Sequence, residues 1–303
     1  MNGRYGRMLY RSKGALISAI LLAAILLVTG AGFILLRGDV ATATSFSGTM
    51  IPPFSLVHGF RDVLGTDLLG RSELFRLIVA ARTSLAVAFS AAFLAAAFGA
   101  ALGIVAGFRK GFLDTIIMRL SDAIQSFPSL FLAVLFLYIV EPRIENIVIL
   151  LVVGRLPMFI RVARAETVTV VNSLFVDAAR CLGASGWWLC LYEIAPAILP
   201  TMLTLAALEI GVLMLVESAL SFLGVGIQAP GVSWGIMVSE GRDWIQSAWW
   251  LTVFPGLCIA TVSISCNVLS NWLRLATNPV ERWRLDTDVH APDVGLPAVL
   301  PGI

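Results

Sequence analysis

VDAARCLGASGWWLCLYEIAPAILP, residues 176–200, is a mixed polar and apolar stretch standing between long runs of lipid-compatible sequence. It reads as a docking element and not as a membrane span. From Asp177 on, Ala178, Ala179, Leu182, Ala184 and Leu189 favour helix. Gly183 offers a spot without a side chain where another backbone can approach, and Pro196 and Pro200 punctuate the exit. A short helix with a bare patch, expected over residues 177–189, invites a partner.

The rest of the chain says what kind of molecule carries this element. Of its 303 residues, 58% are hydrophobic and only 13% charged, with a mean hydropathy of +0.91. That is too few charges to cover a soluble globule, so the chain reads as an all-α integral membrane protein. A net charge of +2 with no continuous stripe of lysine and arginine gives no nucleic-acid partner. No G-x-x-x-x-G-K-[ST] phosphate loop is present, so the chain is not expected to bind or hydrolyse ATP itself. His58 and His290 both lie in polar segments, and neither H-E-x-x-H nor G-x-S-x-G occurs. No catalytic residue and no metal site are therefore expected. Cys181, Cys190, Cys258 and Cys266 form no C-x-x-C and read as free thiols.

Hydropathy predicts six transmembrane helices, over residues 15–36, 84–108, 116–140, 147–160, 198–223 and 249–273. The first follows a basic flank, Arg4, Arg7, Arg11 and Lys13, and is longer than a signal peptide requires. In the second, Gly99, Gly103 and Gly107 are spaced for close helix packing in lipid. The third contains Asp122 and Gln125 near its start and a kinking Pro128 just inside, and the fourth is interrupted at Gly154-Arg155-Leu156-Pro157 before a loop opening with Arg161 and Arg164. Glu209 and Glu217 lie inside the fifth, where an ionised carboxylate costs about 2.5–3.5 kcal/mol on insertion scales. They must face protein or water, and eight helical steps set them about 80° apart, near enough to share one side. Trp244, Trp249 and Trp250 mark the outer interface of the sixth. With the N-terminus inside, 13 lysines and arginines face the cytoplasm and 7 face out, which puts both termini and the docking stretch in the cytoplasm. The chain divides into residues 1–83, with the N-terminal segment, first span and outer loop, a five-helix core over 84–273, and a tail over 274–303.

Three blocks of residues carry a resemblance. Asp177-Ala178-Ala179, Gly183 and Ile194-Ala195-Pro196 resemble the Glu-Ala-Ala, Gly and Ile-x-Pro loop of binding-protein-dependent ABC importer permeases, with Asp177 in place of Glu. Gly65, Thr66, Asp67, Leu69, Gly70, Arg71, Arg76, Ala81, Arg82, Ser84 and Leu85 match a signature of the dipeptide, oligopeptide and nickel branch, while Ser72, Phe75 and Ala80 depart from it. The run ESALSFLGVGIQAP, from Glu217 through Ser221 to Pro230, is similar to a third family block, with Ser233-Trp234-Gly235 close behind.

The resemblance implies a type I ABC importer permease fold in the bacterial inner membrane, without a cofactor of its own. It would be paired with a second related permease, two ABC ATPase subunits that use ATP, and an extracytoplasmic substrate-binding protein, all within membrane lipid. In that family the loop is the coupling helix that sits in a cleft of the ATPase, which would make Asp177, Ala178, Ala179, Gly183, Ile194 and Pro196 its coupling residues. Glu209, Glu217 and Ser221 become candidates for the pathway or the permease interface, and residues 74–81 for a helix along the outer surface. Peptide, nickel chelate and opine stay open as substrates. The alternative is a channel or a carrier driven by proton flow through Glu209 and Glu217; a carrier would show internal symmetry, and no repeat is visible.

Overall fold

The computed structural model describes residues 8–35, 48–55, 59–141 and 143–277. The first seven residues, both histidines and the tail beyond Thr277 lie outside them. Among the described residues the fold is helical throughout, apart from one isolated bridge between Thr66 and Ser72. The helices are α1 (Lys13–Leu35), α2 (Glu73–Arg109), α3 (Phe112–Gln125), α4 (Ser129–Ile139), α5 (Ile144–Val171) and α6 (Leu174–Cys181). The chain re-enters helix at Gly186–Trp188, widens into a π-helical turn at Leu189–Ile194, and continues as α7 (Ala195–Phe222); α8 (Trp234–Gly241) and α9 (Trp250–Thr277) follow.

Among the described residues, five helices are long and apolar enough to cross a membrane: α1, α2, α5, the continuous stretch Gly186–Phe222, and α9. The expected third span is divided. Pro128 ends one helix and caps the next, leaving α4 with 11 residues, about 16 Å of helix against a hydrocarbon core of ~30 Å.

The expected interruption of the fourth span does not occur. α5 runs unbroken for 28 residues with Pro157 inside it, and Arg161 and Arg164 belong to this helix, not to a loop. In an apolar setting the backbone has no better partner than its own ladder, so one missing donor leaves the helix whole. Pro196 and Pro200 likewise lie within helix instead of ending one. Pro196 lacks the N–H that an α-ladder would offer the Tyr192 carbonyl, and the widened turn falls just before it.

The densest packing joins α2 to α5. A Cβ on Gly99 would collide with Phe159, one on Gly103 would lie 2.5 Å from the Ala163 Cβ and 2.7 Å from the Ile160 carbonyl, and one on Gly107 2.8 Å from the Thr167 Cβ. The four-residue spacing is therefore a helix seam at backbone distance. Residues 74–81 form the first turns of the same continuous α2, with Leu77 and Ala81 buried, so they do not make a separate helix on the outer surface. Arg82 donates to the Gly32 carbonyl and lies over the Phe33 ring at 5.0 Å, fastening α1 to α2.

Beyond α2 the chain turns at Gly111 and lays α3 along α5. Two ion pairs hold it there: Arg164 to Asp114 at 2.5 and 2.6 Å, and Arg161 to Asp122 at 2.7 Å. The Arg164 hydrogen bond holds the Asp114 carboxyl below the usual carboxylate range. A depressed folded pKa contributes stability that is complete above the unfolded value, about 3.9, and is lost as pH falls through the folded one. In detergent, the gap in thermal midpoint between the wild type and Asp114→Asn is expected to narrow as pH drops from about 5 to about 3. A gap that stays constant would show that the pair carries no such linkage.

Candidate functional site

Three places in the fold gather polar or partner-seeking side chains: a short helix at one end of the bundle, a cavity beside it, and a charged knot at the opposite end.

The short helix is α6. Val176 is buried and anchors it, while Leu174 is 89% and Leu182 90% exposed, and Trp187 and Tyr192 extend the apolar surface beyond it. Asp177 pairs with Arg180 at 3.2 Å on the outward side, with Ala178 exposed next to it. The helix is shorter than expected, ending at Cys181 and not at Leu189. Gly183 is the reason. At φ +89° its N–H donates to the Arg180 carbonyl at 2.9 Å and the Ala184 N–H to the Ala179 carbonyl at 3.1 Å, a Schellman termination that a glycine makes without strain. Its missing side chain faces open space, with nothing within 4 Å of a Cβ there. Ile194 is buried at the root of α7 and Pro196 is exposed. The residues of the sequence pattern therefore divide into exposed ones, Asp177, Ala178, Gly183 and Pro196, and a buried one, Ile194, at the root of α7.

Beside α6 lies a cavity of about 800 Å³ between α5, α7 and α9. Glu166, Thr201, Thr204, Asn267, Asn271 and Arg274 are among its polar lining residues. Thr201 donates to Glu166 at 3.4 Å and Arg274 to Asn271 at 3.1 Å, so an acid and a base of opposite helices face one space. Sequence reasoning missed this set, because Glu166 and Arg274 look like ordinary loop and tail charges until the helices are seen to run on past them.

Glu209 and Glu217 are not among the residues lining that cavity. Glu209 pairs with Arg155 of α5 at 3.3 Å, which accounts for an arginine in the middle of a span. Glu217 is fully buried and accepts from Ser221 at 2.8 Å and Ser218 at 3.4 Å, with Ser84 and Ser233 closing around the same carboxyl. Ser221 also accepts from the Ile227 N–H at 3.2 Å. Trp234, at the head of α8, donates its backbone N–H to Ser84 at 3.1 Å and its indole N–H to the Leu77 carbonyl at 3.0 Å. The structure thus brings Glu217 and Ser221 together as a polar joint of α2, α7 and α8, and sets Glu209 apart from them.

At the far end of α2, Gly65 to Arg71 fold into a compact turn. Gly65 takes φ +86°, and a Cβ there would lie 2.7 Å from the Ile51 carbonyl and 2.9 Å from the Trp250 indole nitrogen. Thr66 donates to the Gly48 carbonyl at 2.6 Å and accepts from the Ile51 N–H at 2.9 Å. Asp67 accepts from the Leu69 and Arg71 N–H groups at 2.9 and 2.8 Å, from Arg71 Nε at 2.6 Å and from Arg76 at 2.7 Å. Gly70 closes the loop at φ +71°. Arg76 bridges onward to Glu240 of α8 at 2.6 Å, a partner 164 residues away that no local pattern could announce.

A bundle of membrane-length helices with a polar cavity and a short helix of exposed apolar side chains at one end is the architecture of a multi-pass membrane protein. A family model described as the binding-protein-dependent transport system inner membrane component matches residues 99–279, more than half of the chain. Among similar proteins is the dipeptide transport system permease protein DppC of Escherichia coli (strain K12), 37% identical over 271 residues, which cover 89% of this chain and 90% of that one. Another is the di/tripeptide transport system permease protein DppC of Pseudomonas aeruginosa (strain UCBPP-PA14), 36% identical over 231 residues and 76% of each chain. A third, the probable D,D-dipeptide transport system permease protein DdpC of E. coli K12, is 31% identical over 237 residues and 78% of each. The chain belongs to this family of inner membrane components and is a permease of an ABC importer. The carrier or channel alternative is not favoured.

Proposed function

We propose that this chain is one of the two permease subunits of a peptide importer in the bacterial inner membrane, non-catalytic itself and driven by ATP that its partners hydrolyse. It works with a related permease, two ABC ATPase subunits and an extracytoplasmic binding protein. The observation that carries this reading is α6, a helix anchored by one buried residue, ended by Gly183, and presenting Leu174, Ala178 and Leu182 to a partner surface. Counting residues 116–140 as one crossing bent at Pro128 gives six spans with both termini inside, as the lysine and arginine count favours.

The substrate path on this subunit runs along the cavity between α5, α7 and α9. It lies at the α6 end, as an inward-facing resting state requires. Glu166 and Arg274 suit a solute carrying both an ammonium and a carboxylate, which is the chemistry of a short peptide, and the names of the relatives support the same class. Glu209 with Arg155, and Glu217 with its serines, hold the framework around it. The test is ATP-dependent uptake of a labelled dipeptide in vesicles carrying all the components. Glu166→Gln and Arg274→Gln are each expected to lower uptake per ATP hydrolysed about tenfold, the loss of one charge-assisted contact. Unchanged uptake in both would place the path elsewhere.

A further inference from the structure

The turn at the head of α2 encloses a second cavity, of about 300 Å³, that the transport reading leaves unused. Asp67, Glu73 and Glu240 face Arg71 and Arg76 around it, three carboxylates against two guanidinium groups. Arg71 is paired with Asp67, and Arg76 with Asp67 and Glu240 through its two terminal nitrogens, while the Arg76 Nε has no hydrogen-bond partner among the described residues. Glu73 is left over. It is 1% exposed, and among the described residues neither of its carboxylate oxygens has a hydrogen-bond partner. Its place at the first turn of α2 gives a carboxylate a favourable helix dipole, but a dipole does not replace missing donors.

The walls of the cavity are Leu68, Leu69, Met237 and Leu251. A cavity with apolar walls whose three carboxylates outnumber its two guanidinium groups suits one further positive charge on an aliphatic stem. Among the described residues no group of three or more acids, histidines or cysteines is placed to hold a metal ion, so a bare cation fits the site less well than an ammonium that donates hydrogen bonds. At 37 residues α2 is about 55 Å long, more than the ~40–45 Å of a whole bilayer, and its Glu73 end lies opposite α6.

We propose that this cavity receives a lysine side chain of the extracytoplasmic binding protein, its ammonium seated on Glu73. The partner and the side of the membrane rest on the function proposed above; the chemistry of the site does not. A water-soluble carbodiimide applied to the assembled transporter with its binding protein would activate the Glu73 carboxyl. The lysine nitrogen would then displace it as an amide, and the carbodiimide would leave as its urea, having taken up the elements of water. Peptide mass spectrometry is expected to find Glu73 joined to one lysine of the binding protein. Glu73→Gln should abolish that adduct and weaken binding-protein docking to the membrane complex at least tenfold, and exchanging the two charges, Glu73→Lys with that lysine changed to Glu, should restore docking. Docking equally tight to wild type and Glu73→Gln, an amide to an ethanolamine lipid, or no adduct at Glu73 would each overturn the inference. Failure of the binding protein to dock to the wild-type complex would instead count against the function proposed above.

Discussion

Replacing Leu182 by Arg is expected to cut ATP-driven uptake at least tenfold while leaving the protein folded. Leu182 is 90% exposed and closes α6 as its C-cap, so nothing in this chain depends on its side chain. A cation at a helix C-terminus is favoured by the dipole, and exposed substitutions of this kind change stability by no more than about 0.5 kcal/mol. Docking is another matter. An apolar anchor at the centre of an interface carries about 2 kcal/mol or more, a loss of some 30-fold in affinity, and a buried unpaired arginine adds to that. The measurement pairs uptake in vesicles with the thermal midpoint of the purified subunit. Uptake that survives with a normal midpoint would mean that α6 is not where force is passed.

Gly103→Leu is expected to act in the opposite way, destroying the fold without touching any partner surface. The α2 and α5 backbones meet at Gly103, where even a Cβ would stand 2.5 Å from Ala163 and 2.9 Å from the Arg164 nitrogen. A flexible neighbour could yield, but these contacts are backbone and a methyl group already fixed by it. Overpacking of this sort costs about 3 kcal/mol or more when two helices must part. Loss of monodisperse protein on size-exclusion chromatography is the expected result. Gly154→Leu on α5 is the control, since nothing lies within 4 Å of its Cβ position, and it should behave as wild type. Equal behaviour of the two variants would contradict the seam.

The sequence made some of this visible and hid the rest for physical reasons. The glycines of α2 could be read because small-residue packing in lipid has a fixed period, and the seam follows that period residue by residue. The short helix α6 could be expected between the spans because its composition breaks with theirs, whereas the residues from Gly186 on belong to a membrane-length helical stretch. The length of α6 could not, because a glycine that leaves a bare patch and a glycine that ends a helix look the same until φ is known. Prolines do not all act alike. Pro157 and Pro196 lie inside helices that the surrounding protein holds together, whereas Pro128 divides the expected third span into α3 and α4. Glu209 and Glu217 were rightly marked as acids that need company, but their company, Arg155 on another helix and serines from three segments, is a tertiary fact. Glu166 and Arg274 were passed over for the same reason.

The measurement that bears most directly on the account is photo-crosslinking from α6 in the native membrane. A benzophenone amino acid placed at Leu182 reports whatever lies against the most exposed apolar side chain of the docking helix, without purification or reconstitution. One dominant adduct is expected, with an ABC ATPase subunit, and its yield should change when ATP is trapped. An adduct with lipid alone, or with a protein from the extracytoplasmic side, would contradict it.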